Sequence, residues 1–269
     1  MDRSLSPNHQ RFVDALVRAC QADERIVAAF LLGSYANGHP DEHSDLDLCL
    51  ITTDDSYDDF AAQRGLFVLW LGEPLFMEDF DIPGILFLIF PDGSEVEVHY
   101  ARESELEHYF TERYKVLLDK KNITGNLSVN KSEININNQN ERLRRLIYWF
   151  WHDFSHYLTA MGRGQLWWAQ GQLEILRAIC AGLARLRNDF SDQDVQGEVY
   201  FKIEKVMTVE TLSPLRETFC PMERDAMLRA GPLLVRYFKN LAEPLANEHG
   251  IRYPKELELL MTNRLQNLQ

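Results

Sequence analysis

The sequence lacks an apolar run of the length that crosses a membrane, and its first ten residues lack the basic-then-apolar order of a signal peptide. Its four cysteines, Cys20, Cys49, Cys180 and Cys220, include no Cys-x-x-Cys pair and have no histidine at zinc-ligand spacing. No internal repeat is found either. We therefore expect a cytoplasmic protein without a membrane partner, whose thiols are reduced and mostly buried.

Basic residues are scarce in the first part of the chain. Residues 1–120 hold 24 acidic and 9 basic side chains, a net charge of −15, whereas the rest of the chain carries +2 and the whole chain −13. Such an acidic segment repels a polyanion, so we do not expect nucleic acid to be a partner. It attracts metal ions and cationic small molecules, although most of these acids serve only as a solvated surface.

Apolar periodicity divides the sequence into two regions of different kind. Residues 1–119 mix short apolar runs with amphipathic segments, residues 120–139 are rich in Asn, Ser and Lys, and residues 140–269 are almost wholly helical in pattern. We predict an α+β protein with a small mixed sheet and flanking helices at 1–119, a linker at 120–139, and an α-helical bundle that binds the acceptor at 140–269.

The first region is predicted to contain both helices and strands, and the second region helices alone. In the first region, helices are expected at 9–20, 60–71 and 104–110, and strands at 26–32, 46–51, 75–80, 85–90, 95–100 and 116–118. Residues 91–94 (Pro-Asp-Gly-Ser) predict a hairpin turn between two of these strands. In the second region, helices are expected at 142–161, 165–188, 198–208, 223–248 and 255–267, with a break at 162–164.

Two aspartates at the start of a predicted strand are the first candidate site residues. Asp45 and Asp47 are two positions apart, so their side chains leave the strand on the same face. Like charges held so close repel each other unless a cation lies between them. Mg²⁺ takes oxygen ligands, commonly one or two carboxylates with phosphates and water, so the pair favours a Mg²⁺ site.

A Gly-Ser pair precedes these aspartates, and a third acid follows them. Gly33 lies where an apolar strand ends and Ser34 would open a helix, an arrangement that offers backbone N–H groups and a hydroxyl to phosphate. Glu95 and Glu97 share one face of a later predicted strand. We select Glu97 as the third acid, because valines flank it, whereas Glu95 adjoins a turn. Phosphate donors beside metal ligands are what nucleotidyl transfer requires.

Together these motifs resemble the nucleotidyltransferase superfamily, in which hydrophobic-Gly-Ser is followed by Asp-hydrophobic-Asp and a later acid on a strand. The wider chain is similar to the antibiotic-modifying nucleotidyltransferases, especially the lincosamide enzymes, at 23–26 (Asp-Glu-Arg-Ile), 97–99 (Glu-Val-His) and 162–165 (Gly-Arg-Gly-Gln). The resemblance implies that Asp45, Asp47 and Glu97 bind two Mg²⁺ ions. It also implies that Gly33 and Ser34 hold the triphosphate of the nucleotide, with ATP as the expected co-substrate. Glu97 would be either a metal ligand or the general base for an acceptor hydroxyl, and pyrophosphate would leave.

Three further residues are candidates for substrate binding. His99 shares a face with Glu97 and would either contact substrate or make a structural hydrogen bond. Trp168 belongs to an aromatic set, Tyr148, Trp149, Trp151, Tyr157, Trp167 and Trp168, most of which we expect in the bundle core. Glu174 would either line an acceptor pocket or pair with Arg177 one turn away.

The residues leave alternatives open for the function. A transferase that adenylylates proteins, as in toxin–antitoxin systems, and a non-catalytic nucleotide sensor compete with the antibiotic enzyme. The helical half argues for a dedicated small-molecule pocket, and the presence of all three acids argues against a sensor. Lincosamide and aminoglycoside acceptors both stay open, and a homodimer is compatible with the resemblance.

Overall fold

A computed structural model describes residues 5–82, 84–106, 113–126, 136–192 and 198–268 of the chain. The chain forms two compact units, Met1–Glu133 and Ile134–Gln269. The N-terminal unit contains a six-stranded mixed sheet with helices, and the second unit is helical, so the predicted α+β class is confirmed. Within the described ranges no helix combines the length and the apolar character that a bilayer span needs.

The sheet of the N-terminal unit has one parallel pairing at its centre. Its strands are β1 (Ile26–Leu31), β2 (Leu46–Thr52), β3 (Phe76–Glu78), β4 (Ile85–Ile89), β5 (Glu95–Arg102) and β6 (Lys115–Asp119). They lie in the order β3-β4-β5-β2-β1-β6. Strands β2 and β5 run parallel, and the other four pairings are antiparallel. The helices of this unit are α1 (Pro7–Ala22), α2 (Gly33–Asn37) and α3 (Tyr57–Phe67).

Alternation along β2 decides which side chains face the core. Leu46, Leu48 and Leu50 are fully buried in the same apolar cluster as Phe12 and Leu16 of α1. Because successive side chains of a strand point to opposite faces, the residues between these leucines leave the sheet on its other side. The large apolar cluster thereby fixes the face from which the side chain of Asp47, the acidic residue of β2, projects.

Several predicted elements of this unit differ in extent from the structure. The helix expected at 60–71 is α3, which starts three residues earlier, followed by a 3₁₀ turn at Val68–Leu71. The strand expected at 75–80 is the shorter β3, because Phe80 and Asp81 adopt positive φ angles of 51° and 57°. The hairpin turn at 91–94 is confirmed, with Gly93 at φ 80° between β4 and β5. A 3₁₀ turn at Glu103–Glu105 replaces the start of the helix expected at 104–110, and residues 107–112 lie outside the described ranges.

The helical unit contains six helices within the described residues. These are α4 (Ile136–Gly162), α5 (Leu166–Asn188), α6 (Ile203–Val206), α7 (Val209–Arg216), α8 (Arg224–Glu248) and α9 (Lys255–Gln266). The break between α4 and α5 falls at Gly164, where φ is 67°. Helix α4 begins inside the segment 120–139 that was predicted as a linker; residues 127–135 of that segment lie outside the described ranges. The helix expected at 198–208 is only the single turn α6, and α7 was not predicted.

The prediction that most of the aromatic set lies in the bundle core is wrong. Trp151 and Tyr157 are fully buried, but Trp149 and Trp167 are 62% and 82% exposed, and Tyr148 and Trp168 are partly exposed. On α4 the core face is taken by residues three and four positions apart, and Tyr148 and Trp149 fall between them. The core side of α4 is instead an aliphatic and aromatic stripe: Leu143, Ile147, Phe150, Trp151, Phe154, Leu158 and Met161.

Candidate active site

The turn between β1 and α2 is built around Gly33. Leu32 is extended, with φ −115° and ψ −163°, and Gly33 then takes φ 57°, a conformation that side chains other than glycine disfavour. The backbone N–H of Leu32 donates a hydrogen bond to the carbonyl oxygen of Asp47, 2.9 Å away. A Cβ atom at Gly33 would lie 2.7 Å from Cγ of Asp47 and closer still to its Oδ2. The position therefore needs glycine both for its backbone angle and for the space that the Asp47 carboxylate occupies.

Ser34 follows this turn with its hydroxyl inside the protein. Its Oγ is buried and has no hydrogen-bond partner among the described residues. A buried hydroxyl without a partner costs free energy, so its presence needs an explanation such as an unseen ligand. The predicted helix after Gly33 is real but has five residues, and it ends at Gly38 in the left-handed conformation. The hydroxyl of Ser34, rather than a helix dipole, is the feature that points to a bound anion.

The three predicted acids lie at the centre of the sheet. Asp47 on β2 and Glu97 on β5 are directly opposite each other in the parallel pairing, and Leu48 pairs with Val98 next to them. Adjacent strands are about 4.8 Å apart, so these two side chains project side by side from one face. Asp45 directly precedes β2, two positions before Asp47. Like charges at this spacing repel, and a divalent cation between them removes the repulsion.

His99 makes a hydrogen bond to the third acid. Its Nε2 lies 2.7 Å from Oε1 of Glu97, and both side chains are partly buried. The hydrogen bond from His99 holds the pKa of the Glu97 carboxyl below its ordinary value, against the opposing effect of burial. Glu97 is therefore ionised at neutral pH. His99 was predicted either as a substrate contact or as a structural histidine, and the structure gives it a hydrogen bond to the carboxylate.

His9 belongs to this region although it was not predicted. It is buried at the start of α1, where its Nδ1 lies 2.6 Å from the hydroxyl oxygen of Tyr35 in α2. Burial lowers the pKa of His9, while the charges of Asp45 and Asp92 oppose that shift. A signal was present in the sequence: His9 occupies the apolar stripe of α1, three residues before Phe12, where a polar side chain is unusual.

A cavity of about 480 Å³ opens between α1, α2 and the hairpin turn. Its lining carries five carboxylates and two imidazoles; the residues are Ser6, Asn8, His9, Tyr35, Asp41, Glu42, His43, Ser44, Asp45, Asp92, Gly93, Ser94 and Glu95. Asp45 thus links the acidic strand face to a concave surface of strongly negative character. Glu95 is exposed, in agreement with its assignment as a solvated residue beside the turn.

The two remaining candidates lie in the helical unit, on α5. Trp168 is 38% exposed, and its ring centroid is 5.8 Å from that of His156. Glu174 pairs through Oε2 with Nη1 of the buried Arg177 at 3.1 Å, and its Oε1 accepts a hydrogen bond from the Tyr200 hydroxyl at 3.2 Å. The ion pair expected as the structural alternative for Glu174 is therefore present.

Comparisons with known proteins give a family match over nearly the whole chain and a distant structural match. The model of the streptomycin adenylyltransferase family matches residues 7–268. Among solved structures, the chain is similar to an aminoglycoside 6-adenyltransferase from Bacillus subtilis, with 15% sequence identity and a TM-score of 0.43, over 98% of this chain and 99% of that one. No match is found among curated proteins.

Proposed function

The chain belongs to the streptomycin adenylyltransferase family and is an antibiotic adenylyltransferase. From that premise we propose that it transfers AMP from ATP to a hydroxyl of a cationic, aminoglycoside-like antibiotic. One observation carries the proposal. Asp47 and Glu97 lie opposite each other on parallel strands, and the Gly33 turn packs directly against the carboxylate of Asp47. The acids that would hold a metal ion therefore lie beside the turn that would bind phosphate.

The residues present fit a Mg²⁺ site. Asp45, Asp47 and Glu97 supply oxygen donors only, as Mg²⁺ prefers, and Asp47 and Glu97 lie opposite each other on paired strands, so we propose that these acids hold two ions. Bound Mg²⁺ neutralises charge on the triphosphate and polarises its α-phosphoryl group. Asp45 and Asp47 would hold the ions. Because Asp47 lies against the Gly33 turn, the ions would lie beside the phosphates that this turn would bind.

Glu97 has two candidate roles, and its pKa favours one of them. A general base works best when its pKa is near the operating pH, whereas a metal ligand has to be ionised throughout. The hydrogen bond from His99 lowers the pKa of Glu97, which supports the ligand role. His99 would then position the carboxylate rather than contact the substrate.

Gly33 and Ser34 would bind the phosphates of the nucleotide. The Oγ of Ser34 is buried without a partner among the described residues, so it can donate to a phosphate oxygen without breaking an existing hydrogen bond. A hydrogen bond to a charged group is worth about 1.5–3 kcal/mol. The absent side chain at Gly33 lets the backbone approach the site closely.

The acceptor is proposed from charge. The acidic cavity beside Asp45 and the net charge of −15 over residues 1–120 favour a polycationic acceptor over a lincosamide, which carries less charge. Trp168 and Glu174 of the helical unit remain proposals for acceptor contacts, with Glu174 already held by Arg177 and Tyr200. Because the proposed co-substrate is ATP, we propose that the reaction takes place in the cytoplasm.

The decisive experiment offers the purified chain Mg²⁺, each of four nucleoside triphosphates, and separate panels of aminoglycosides and lincosamides. Pyrophosphate release and product mass are measured, with Asp47→Asn as the control. A gain of one AMP on an aminoglycoside, absent with Asp47→Asn, supports the proposal. Modification of lincosamides alone would show that the acceptor is a lincosamide, and modification of protein would favour the toxin-like transferase. ATP binding without turnover would favour a nucleotide sensor.

A further inference from the structure

Helix α4 carries three metal-ligating side chains on one part of its surface, in the helical unit rather than the acidic site. The donor atoms of His152, Asp153 and His156 all lie within 4.8 Å of one another. The Nδ1 of His152 is 3.0 Å from Oδ1 of Asp153, and the imidazole rings of His152 and His156 are 4.4 Å apart between centroids. The two histidines are four positions apart, the spacing that places side chains above one another on a helix.

The chemistry of these donors differs from that of the proposed Mg²⁺ site. Two imidazoles and one carboxylate suit Zn²⁺ and related transition metals, whereas Mg²⁺ prefers oxygen ligands. Zinc–nitrogen bonds of about 2.0–2.1 Å place tetrahedral ligand atoms roughly 3.3 Å apart. The ring of His152 is exposed, with 63% of its side chain accessible.

The carboxylate of Asp153 is largely buried and faces the ring of His152. Its side chain is only 13% exposed, and within the described part of the chain its ion-pair partner is His152 alone. On α5, the side-chain amide of Gln172 can be oriented to make two hydrogen bonds. It then donates to the backbone carbonyl oxygen of Asp153 at 3.2 Å and accepts from Trp168 Nε1 at 3.3 Å. A half-buried carboxylate that faces one imidazole is stabilised further by a bound cation.

From this geometry we propose that His152, Asp153 and His156 bind one transition-metal ion of the zinc class. Three protein ligands leave at least one coordination position for water or for a nitrogen or oxygen group of another molecule. The competing explanation is a simple contact on a helix surface, in which the Asp153 carboxylate accepts a hydrogen bond from Nδ1 of His152 and His156 binds neither residue.

The test uses the full chain without a histidine tag. Zn²⁺ is titrated by calorimetry in the presence of saturating Mg²⁺, which occupies the carboxylates of the acidic site. We expect one ion per chain, and we expect His152→Asn, His156→Asn and Asp153→Asn each to weaken binding at least ~10-fold. His43→Asn is the matched control, because His43 is an exposed histidine in the other unit and its loss leaves α4 unchanged.

Co²⁺ absorption gives an independent readout of the ligand set. Wild-type chain with Co²⁺ should show visible bands of low-symmetry coordination, and these should vanish in both α4 histidine variants but persist with His43→Asn. Circular dichroism checks that each variant keeps its helices. Equal Zn²⁺ affinity in all four variants, a loss confined to His43→Asn, or no binding up to about 1 mM Zn²⁺ would each overturn the proposal. Because the readouts are binding and absorption, the result does not depend on whether the chain adenylylates an antibiotic.

Discussion

The substitution Gly33→Ala tests the central geometric claim, that the first turn and the carboxylate of Asp47 share one space. A Cβ atom at position 33 would lie 2.7 Å from Cγ of Asp47, whereas ordinary contact begins at 3.4 Å. Backbone strain comes in addition, because φ is 57° at this residue. Either the carboxylate rotates away or the turn between β1 and α2 opens.

Both effects can be given a size. The left-handed conformation costs a residue with a Cβ about 1–2 kcal/mol, which lowers the melting temperature by about 2–4 °C for each kcal/mol in a chain of this size. Relieving the contact moves the carboxylate by about 1 Å. A displacement of that size at a reacting centre can cost about 10²-fold, so we expect kcat/KM for ATP to fall about 100-fold, or ~2.7 kcal/mol of transition-state stabilisation.

Gly38→Ala separates the two effects. Gly38 closes α2 with φ 77°, and a Cβ atom there would have nothing within 4 Å. We expect this variant to lose similar stability in thermal denaturation and to keep kcat/KM within about twofold of wild type. Steady-state adenylylation with both variants decides the matter. If Gly33→Ala loses no more activity than Gly38→Ala, the turn does not position Asp47.

Ser34→Ala should leave the melting temperature unchanged or raise it, because it removes a buried hydroxyl without a partner among the described residues. The same variant should raise KM for ATP about tenfold. An unchanged KM would contradict phosphate binding by Ser34. Asp47→Asn should reduce transfer at least ~10³-fold with normal circular dichroism, and EDTA should do the same to wild type until Mg²⁺ is restored. His99→Leu removes the hydrogen bond that lowers the pKa of Glu97, so the acidic limb of kcat/KM should move to higher pH, and an unmoved limb would refute the coupling. Burial holds the folded-state pKa of His9 below its unfolded value of about 6.5, so its contribution to stability is present above that pH and is lost as pH falls. The stability advantage of wild type over His9→Gln, measured by urea denaturation, should therefore shrink from pH 7 to pH 5.

The succession of strands along the chain and the candidate acids could be predicted because each depends on local pattern. The hairpin at 91–94 and the alternation in β2 follow from nearest neighbours in the sequence. The pairing of Asp47 with Glu97 could not be predicted, because it depends on the parallel register of two strands that are far apart in the chain. Sequence spacing indicated only that both acids belong to the sheet.

The extents of helices were the least predictable feature. Helix α4 begins at Ile136, among asparagines whose low helix propensity suggested a linker. Helix α7 was missed because Pro214 interrupts its short pattern, although Thr208 caps it by accepting from the Thr211 N–H. His9 was missed because its role depends on Tyr35, which only the fold brings near.

The central parallel pairing also has a consequence for how the chain reaches its active form. Asp47 and Glu97 become neighbours only when β5 docks beside β2, and this contact closes a loop of about 50 residues. Contacts across such separations form late, after local hairpins such as β4–β5. The pairing of these two acids is therefore among the last features of the N-terminal unit to form during folding, and recovery of activity after refolding should lag behind recovery of secondary structure.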